Sequence, residues 1–333
     1  TITFIPYTSS FIFTIVVVAE FILGNLSNGL IVLKNCIDWV NKRDLSTIDQ
    51  ILTILAICRM SLIWETLLVW VKNQSVSSIT REEFKIILFS CILSSHFSVW
   101  LTTALSIFYL LTIVHCSWKI FLYLKWRLKQ LIVGILLGSL AFLFANLMQT
   151  AITVEEWLYQ YGGNTSVNPM GTEFALLTEL ILFNMTMFSV TPFSLALIAF
   201  LLLIFSLWKH LQKMQLNSRG HGDPSAKAHM NALRIIVSFL LLYTMYFLSL
   251  LISWISQKRH NELVHIICVI TELMYPSAHS FILILGNSKL KQTSFLVLRQ
   301  LRCRLKGQSI PTTYDIQTTG CCVFYIAKKS MWK

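Results

Sequence analysis

The chain has 333 residues, 55% of them hydrophobic and 13% charged, with a net charge of +12. A mean hydropathy of +0.67 is too high for an ordinary soluble domain, and the charges cluster between long apolar runs, so length does not count soluble domains here. The basic balance does not point to nucleic acid, because the cations lie between those runs and form no continuous stripe.

A bilayer core of about 30 Å needs about 20 helical residues at 1.5 Å each. Seven runs meet this: 11–33, 51–71, 86–114, 131–152, 176–207, 232–255 and 263–285. The expected fold is therefore an all-α seven-transmembrane bundle, since lipid leaves each segment to satisfy its own backbone. The first run lacks a basic flank and a cleavage site, so it is expected to act as a signal anchor. Segments 34–50, 115–130, 208–234 and everything after Asn287 hold 21 of the 27 Lys and Arg residues, against 5 in the alternate segments. That bias predicts a cytoplasmic C-terminus and an N-terminus outside. Asn164-Thr165-Ser166 then falls in an outer loop, where glycosylation is expected. The 115–130 and 217–228 segments read as loops. Residues 288–304 alternate apolar and basic positions, which predicts an amphipathic helix along the inner leaflet. The seven-span domain covers 1–307, and 308–333 reads as a disordered cytoplasmic tail.

Eight cysteines show no metal-binding spacing, and no nucleophile elbow, Walker loop or H-E-x-x-H occurs. No cofactor and no enzyme activity are expected. The seventh span has no lysine that could hold retinal.

Ionisable groups at membrane depth are costly and each needs a reason. Arg59 is either a switch or ion site, or a cation held by amides such as Asn25 or Asn28. Glu20, Glu65, Glu179 and Glu272 occupy the predicted outer halves of their helices. Together they read as a vestibule of negative potential, although an interhelix hydrogen bond is open for each. Cys91, Ser95, Ser98, Thr102 and Ser106 form one small polar face of the third span. Thr102 and Ser106 read as close packing, while Cys91 and Ser95 fit a pocket wall equally well. Glu272, Tyr275 and His279 share a face of the seventh span, kinked at Pro276, and His279 reads as packing. Trp254 fits an interfacial belt. Tyr246, deeper in its span, fits a mostly apolar pocket with a few polar anchors.

Several strings carry a resemblance. GNLSNGLIVLKN spans Gly24–Asn35, DQILTILAICR spans Asp49–Arg59, and HFSVWLTTALSIFYLL spans His96–Leu111. PFSLALIAFLLLIFSLWKHLQKMQL spans Pro192–Leu216, and YPSAHSFILILGNSKLKQT spans Tyr275–Thr293. In this order they resemble the type 2 taste receptors, the bitter taste family of G-protein-coupled receptors. The aspartate-arginine-tyrosine and Asn-Pro-x-x-Tyr signatures of rhodopsin-like receptors are absent, consistent with that family.

The resemblance implies a plasma-membrane receptor for small bitter agonists. It further implies coupling to a gustducin-type heterotrimeric G protein, phospholipase C and calcium release. Ligand-binding candidates are Glu65, Trp70, Cys91, Ser95, Tyr246, Val269 and Glu272. The family's usual tryptophan and asparagine on the third span are replaced here by Cys91 and Ser95. Conformational-switch candidates are Asn25, Arg59, Tyr109, His210 and His279. Lys125, Lys209, Lys213 and Arg234 are expected to meet the G protein. Partners are thus agonists, a G protein and the bilayer, with pairing to other receptors open and nucleic acid excluded. A transporter or channel using Arg59 and the glutamates is the alternative. The string after Gln308 departs from the resemblance, and palmitoylation of Cys321 and Cys322 is open there.

Overall fold

The computed structural model describes residues 4–41, 44–74, 79–114, 119–161, 166–167, 172–217, 224–259, 262–286, 290–292 and 295. Asn164, the tail after 308 and most of the helix expected at 288–304 lie outside the described residues. Eight helices are present among those described: α1 (Phe4–Val40), α2 (Thr47–Gln74), α3 (Arg81–Ile113), α4 (Lys119–Trp126), α5 (Leu128–Tyr161), α6 (Thr172–Asn217), α7 (Pro224–Lys258) and α8 (Glu262–Gly286). All but α4 are long and apolar enough to cross a membrane. They are the seven expected spans, each extended by polar turns that the hydrophobic runs did not include.

Helix α6 is the extreme case. Its 46 residues make about 69 Å of helix, over twice the hydrocarbon thickness, so it projects well beyond the bilayer. Pro192 sits inside it. The carbonyl of Pro192 accepts a hydrogen bond from Thr103 Oγ1 at 2.9 Å, which ties α6 to α3 at the point where proline removes a backbone donor.

Two features differ from the expectation of plain loops. Lys119–Trp126, which contains no Gly or Pro, is helical, and Arg127 stacks over Trp126 at 5.1 Å and Tyr123 at 5.7 Å. Strands β1 (Ile79–Thr80) and β2 (Ser166–Val167) form a two-residue antiparallel pair. This pair bridges the α2–α3 and α5–α6 connections. It marks one end of the bundle; α4 marks the other.

Start signals are local. The Ser46 hydroxyl accepts from the Asp49 amide at 3.2 Å, capping the entry to α2. Thr80 and Glu83 form a capping box at the start of α3, and Lys72 from α2 reaches Glu83 at 3.0 Å. At the α4 end Lys34 bonds Asp49 at 3.1 Å while Asn35 reaches the Asp49 carbonyl and Thr53, fixing α1 against α2.

In sequence-neighbour order the helices close into a ring: α1 packs on α2 and α8, α2 on α3, α3 on α6, α6 on α7, and α7 on α8, with α5 outside α3 and α6. The apolar core runs through α1, α2, α3, α6, α7 and α8, takes Ile132 from α5, and includes Leu290 just past α8. A smaller cluster of Trp157, Leu158 and Leu177 closes the β1–β2 end beneath α3. Many large apolar side chains face outward, among them Ile22, Leu137, Ile198 and Leu241, as lipid-facing positions must.

Candidate functional site

A cavity of about 160 Å³ lies between the helices, toward the β1–β2 end. It draws Glu20 from α1, Thr66 from α2, Ser95 and Ser98 from α3, Met185 from α6, Tyr246 from α7, and Glu272, Tyr275 and Pro276 from α8. Helical spacing explains the α3 wall, because Ser95 and Ser98 are three residues apart and share one face. The rest is mostly apolar: Val17, Leu62, Ile63, Leu182, Leu250 and Leu273 complete it, the pattern of a small-molecule site. Tyr246 and Tyr275 stack with ring centroids 4.6 Å apart.

Three of the seven residues expected to bind a ligand line this cavity: Ser95, Tyr246 and Glu272. The other four are not among its lining residues. Glu65 turns to α3, where its Oε1 accepts from the Ser90 hydroxyl and from Ser94 at 3.1 Å. It therefore serves the interhelix hydrogen bond that sequence reasoning kept open for each glutamate. Cys91, Trp70 and Val269 are half-buried, and the Trp70 indole nitrogen is buried without a partner. Glu20 was recognisable as an intramembrane acid but not as part of this site. Its position beside α8 depends on ring closure between the first and last helices, and the Ser277 hydroxyl donates to it.

Beneath the cavity Arg59 is fully buried. Its Nη1 meets His279 Nδ1 at 2.9 Å and Ser280 Oγ at 3.4 Å, and its Nη2 donates to Thr102 Oγ1 at 3.4 Å. The guanidinium only donates, so Nδ1 is the acceptor and His279 carries its proton on Nε2. The guanidinium carbon also sits 5.4 Å from the centre of the Tyr275 ring. His279 stacks on Phe239 of α7 at 4.4 Å. Ser280 passes the network to Asn28 of α1 at 2.7 Å. One arginine thus links α2, α3 and α8 directly, and α1 and α7 at one remove.

Of the two amides expected beside Arg59, Asn28 joins through Ser280, but Asn25 does not reach it. The Asn25 carbonyl oxygen accepts from Trp64 Nε1 at 3.1 Å, and its amide donates to the Phe21 carbonyl at 2.7 Å. Asn25 and Asn28 are three residues apart and neighbours on α1, but Trp64 of α2 engages Asn25 whereas Ser280 of α8 engages Asn28. Tyr109 packs half-buried against the main core.

At the α4 end Lys209, His210 and Arg234 are exposed, and Lys125 reaches the Thr112 carbonyl at 3.4 Å. Lys213 lies on the same helix as Lys209. Among the described residues no group of His, Cys, Asp or Glu could hold a metal ion, and Cys36, Cys58, Cys91 and Cys268 are unpaired.

With this geometry in hand, comparison with known proteins is specific. A family model described as "Taste receptor protein (TAS2R)" matches residues 6–302. The chain is 74% identical over 300 residues to taste receptor type 2 member 124 of Mus musculus, covering 90% of this chain and 97% of the relative. It is 70% identical to the Rattus norvegicus protein of the same name, with the same coverage. It is also 67% identical over 320 residues to taste receptor type 2 member 102 of Mus musculus, covering 96% of both. A match of that length runs past residue 308. Part of the tail that departed from the resemblance is therefore shared with a relative, which corrects the sequence-based view of it.

Proposed function

The chain belongs to the type 2 taste receptor family, a family of G-protein-coupled bitter taste receptors and not of enzymes, and from that premise we propose how its two ends are used. The β1–β2 end faces outside and the α4 end faces the cytoplasm, in the plasma membrane. The cation bias between spans supports this orientation. A small bitter agonist binds in the cavity, touching Ser95, Tyr246 and Glu272. The Arg59–His279 network is the element whose arrangement the agonist biases, since Tyr275 belongs to both the cavity wall and the network. Lys125, Lys209, Lys213 and Arg234 offer a basic surface to a gustducin-type G protein, leading to phospholipase C and calcium release. Asn164 is glycosylated.

The observation that carries this reading is the cavity itself, polar at a few points, mostly apolar, and built by six of the seven spans. Calcium imaging in cells expressing the receptor with a gustducin-type α subunit tests it. A broad bitter panel is expected to contain agonists whose signals vanish without the α subunit. Silence across the panel with surface expression confirmed, or signals independent of any G protein, overturns the reading; the second result would favour a channel or transporter.

A further inference from the structure

Within the proposed ligand cavity the polar groups are unequally satisfied. Glu272 lines the cavity, yet its Oε1 is closed off from solvent and accepts no hydrogen bond. Across from it Glu20 lines the same cavity and has the Ser277 hydroxyl as donor. No Lys, Arg or His is among the lining residues. Arg59, the buried cation of the neighbouring network, is already directed at His279, Ser280 and Thr102. A carboxylate at membrane depth without donor or counter-charge is costly, and this one belongs to the cavity wall.

The wall around it has a matching character. The stacked Tyr246 and Tyr275 rings supply π faces near Glu272, and apolar side chains such as Leu182 and Leu250 supply the remainder. The cavity, at about 160 Å³, is smaller than the roughly 300–1,000 Å³ usual for drug-sized ligands. A compact occupant fits better than a large alkaloid skeleton.

We propose that Glu272, seconded by Glu20, forms a cation subsite between α8 and α1 that takes the protonated amine of a compact, otherwise apolar agonist. The ammonium donates to the Glu272 carboxylate, whose side chain turns to meet it, and lies against the tyrosine faces, while the apolar body fills the remainder. This inference rests on the receptor reading above, for it names the chemical class of that same site's ligand. It also moves the acidic contact from the Glu65 and Glu272 pair, which the sequence favoured, to Glu20 and Glu272.

The test uses the full-length purified receptor in detergent, with 2-phenylethylamine and 3-phenylpropylamine as probes and the matched phenylalkanols as neutral partners. At neutral pH the amines are expected to raise the melting temperature in a saturable way, and the alcohols to do so far less. Glu272→Gln is expected to weaken the apparent amine affinity by about tenfold or more, the scale of a lost charge-assisted hydrogen bond. Glu20→Gln weakens it by a smaller factor. Amines that bind no better than their alcohols, or equally well to E272Q, overturn the proposal. If E272Q does not fold, the E20Q protein carries the test, and an unchanged amine affinity there overturns it. Calcium responses to the same compounds separate the two levels. Amine binding without any G-protein signal counts against the receptor reading alone, whereas signals from neutral compounds with no amine preference count against this subsite alone.

Discussion

Around Arg59 the protein supplies its own partners, whereas around Glu272 it leaves the polar atom waiting. Both groups are ionisable and both sit at membrane depth, within reach of the same Tyr275 ring. Arg59 spends its two terminal nitrogens on His279, Ser280 and Thr102, leaving only Nε unpartnered. The Glu272 Oε1 has no donor at all. Buried polar groups are ordinarily hydrogen-bonded, so the first arrangement is what a structural link between helices requires. The second is what a ligand site requires, because the missing donor can arrive from outside. The same residue class, an intramembrane charge, thus does two different jobs according to what the neighbouring helices bring to it.

The largest expected effect breaks the self-sufficient side. Replacing Arg59 with Ala leaves the buried His279 Nδ1 without a donor and removes the bonds to Ser280 and Thr102. The stability loss should be about 3 kcal/mol or more, since hydrogen bonds to charged groups contribute about 1.5–3 kcal/mol each. Melting curves of purified receptor and surface staining would read this as poor recovery. Lysine at the same position should not restore it, because an ammonium cannot fork between α3 and α8 as a guanidinium does. A stable, surface-expressed R59A receptor would remove the distinction drawn between the two regions.

An intermediate effect is expected from Gly24, one helical turn beyond Glu20. A Cβ there would collide with Ile63 Cδ1 and meet Ser277 Oγ at 2.6 Å. Gly24→Val therefore displaces the Ile63 and Ser277 side chains packed on it, at a cost of about 1–3 kcal/mol. Because Ser277 is the donor to Glu20, amine affinity should fall along with the melting temperature. An affinity that survives while stability falls would separate Glu20 from the subsite. The smallest effect belongs to the rim. Lys85 pairs with Glu155, whose side chain is 63% exposed, and Lys85→Ala should cost about 0–1 kcal/mol with agonist potency unchanged. A large potency change at Lys85 would extend the site toward the β1–β2 end.

How much was legible beforehand differs between helices and site. Seven spans followed from run length, and Ser95, Tyr246 and Glu272 followed from depth and helical face. Glu65 and Glu20 show why the remainder did not. Both are acids at comparable depth, but which one faces the cavity depends on the rotation of α2 against α3 and of α1 against α8. That rotation is set by packing across the ring, where Ser90 and Ser94 take Glu65 and Ser277 takes Glu20. Asn25 does not hold Arg59 for a similar reason, since Trp64 of α2 engages its side chain first. Helix α4 and the β1–β2 pair also escaped, because eight and two residues are too short for periodicity to speak.

The amino-acid order by itself determined the number of spans and the side on which cations gather, because lipid enforces a minimum helix length and the inner face attracts positive charge. It also determined membership of a receptor family, through strings spread over five of the seven spans. Only the tertiary structure decided which buried charges are answered from within and which keep an oxygen without a donor. That choice depends on contacts between residues as far apart as Glu20 and Ser277, or Arg59 and His279, and no local pattern records them.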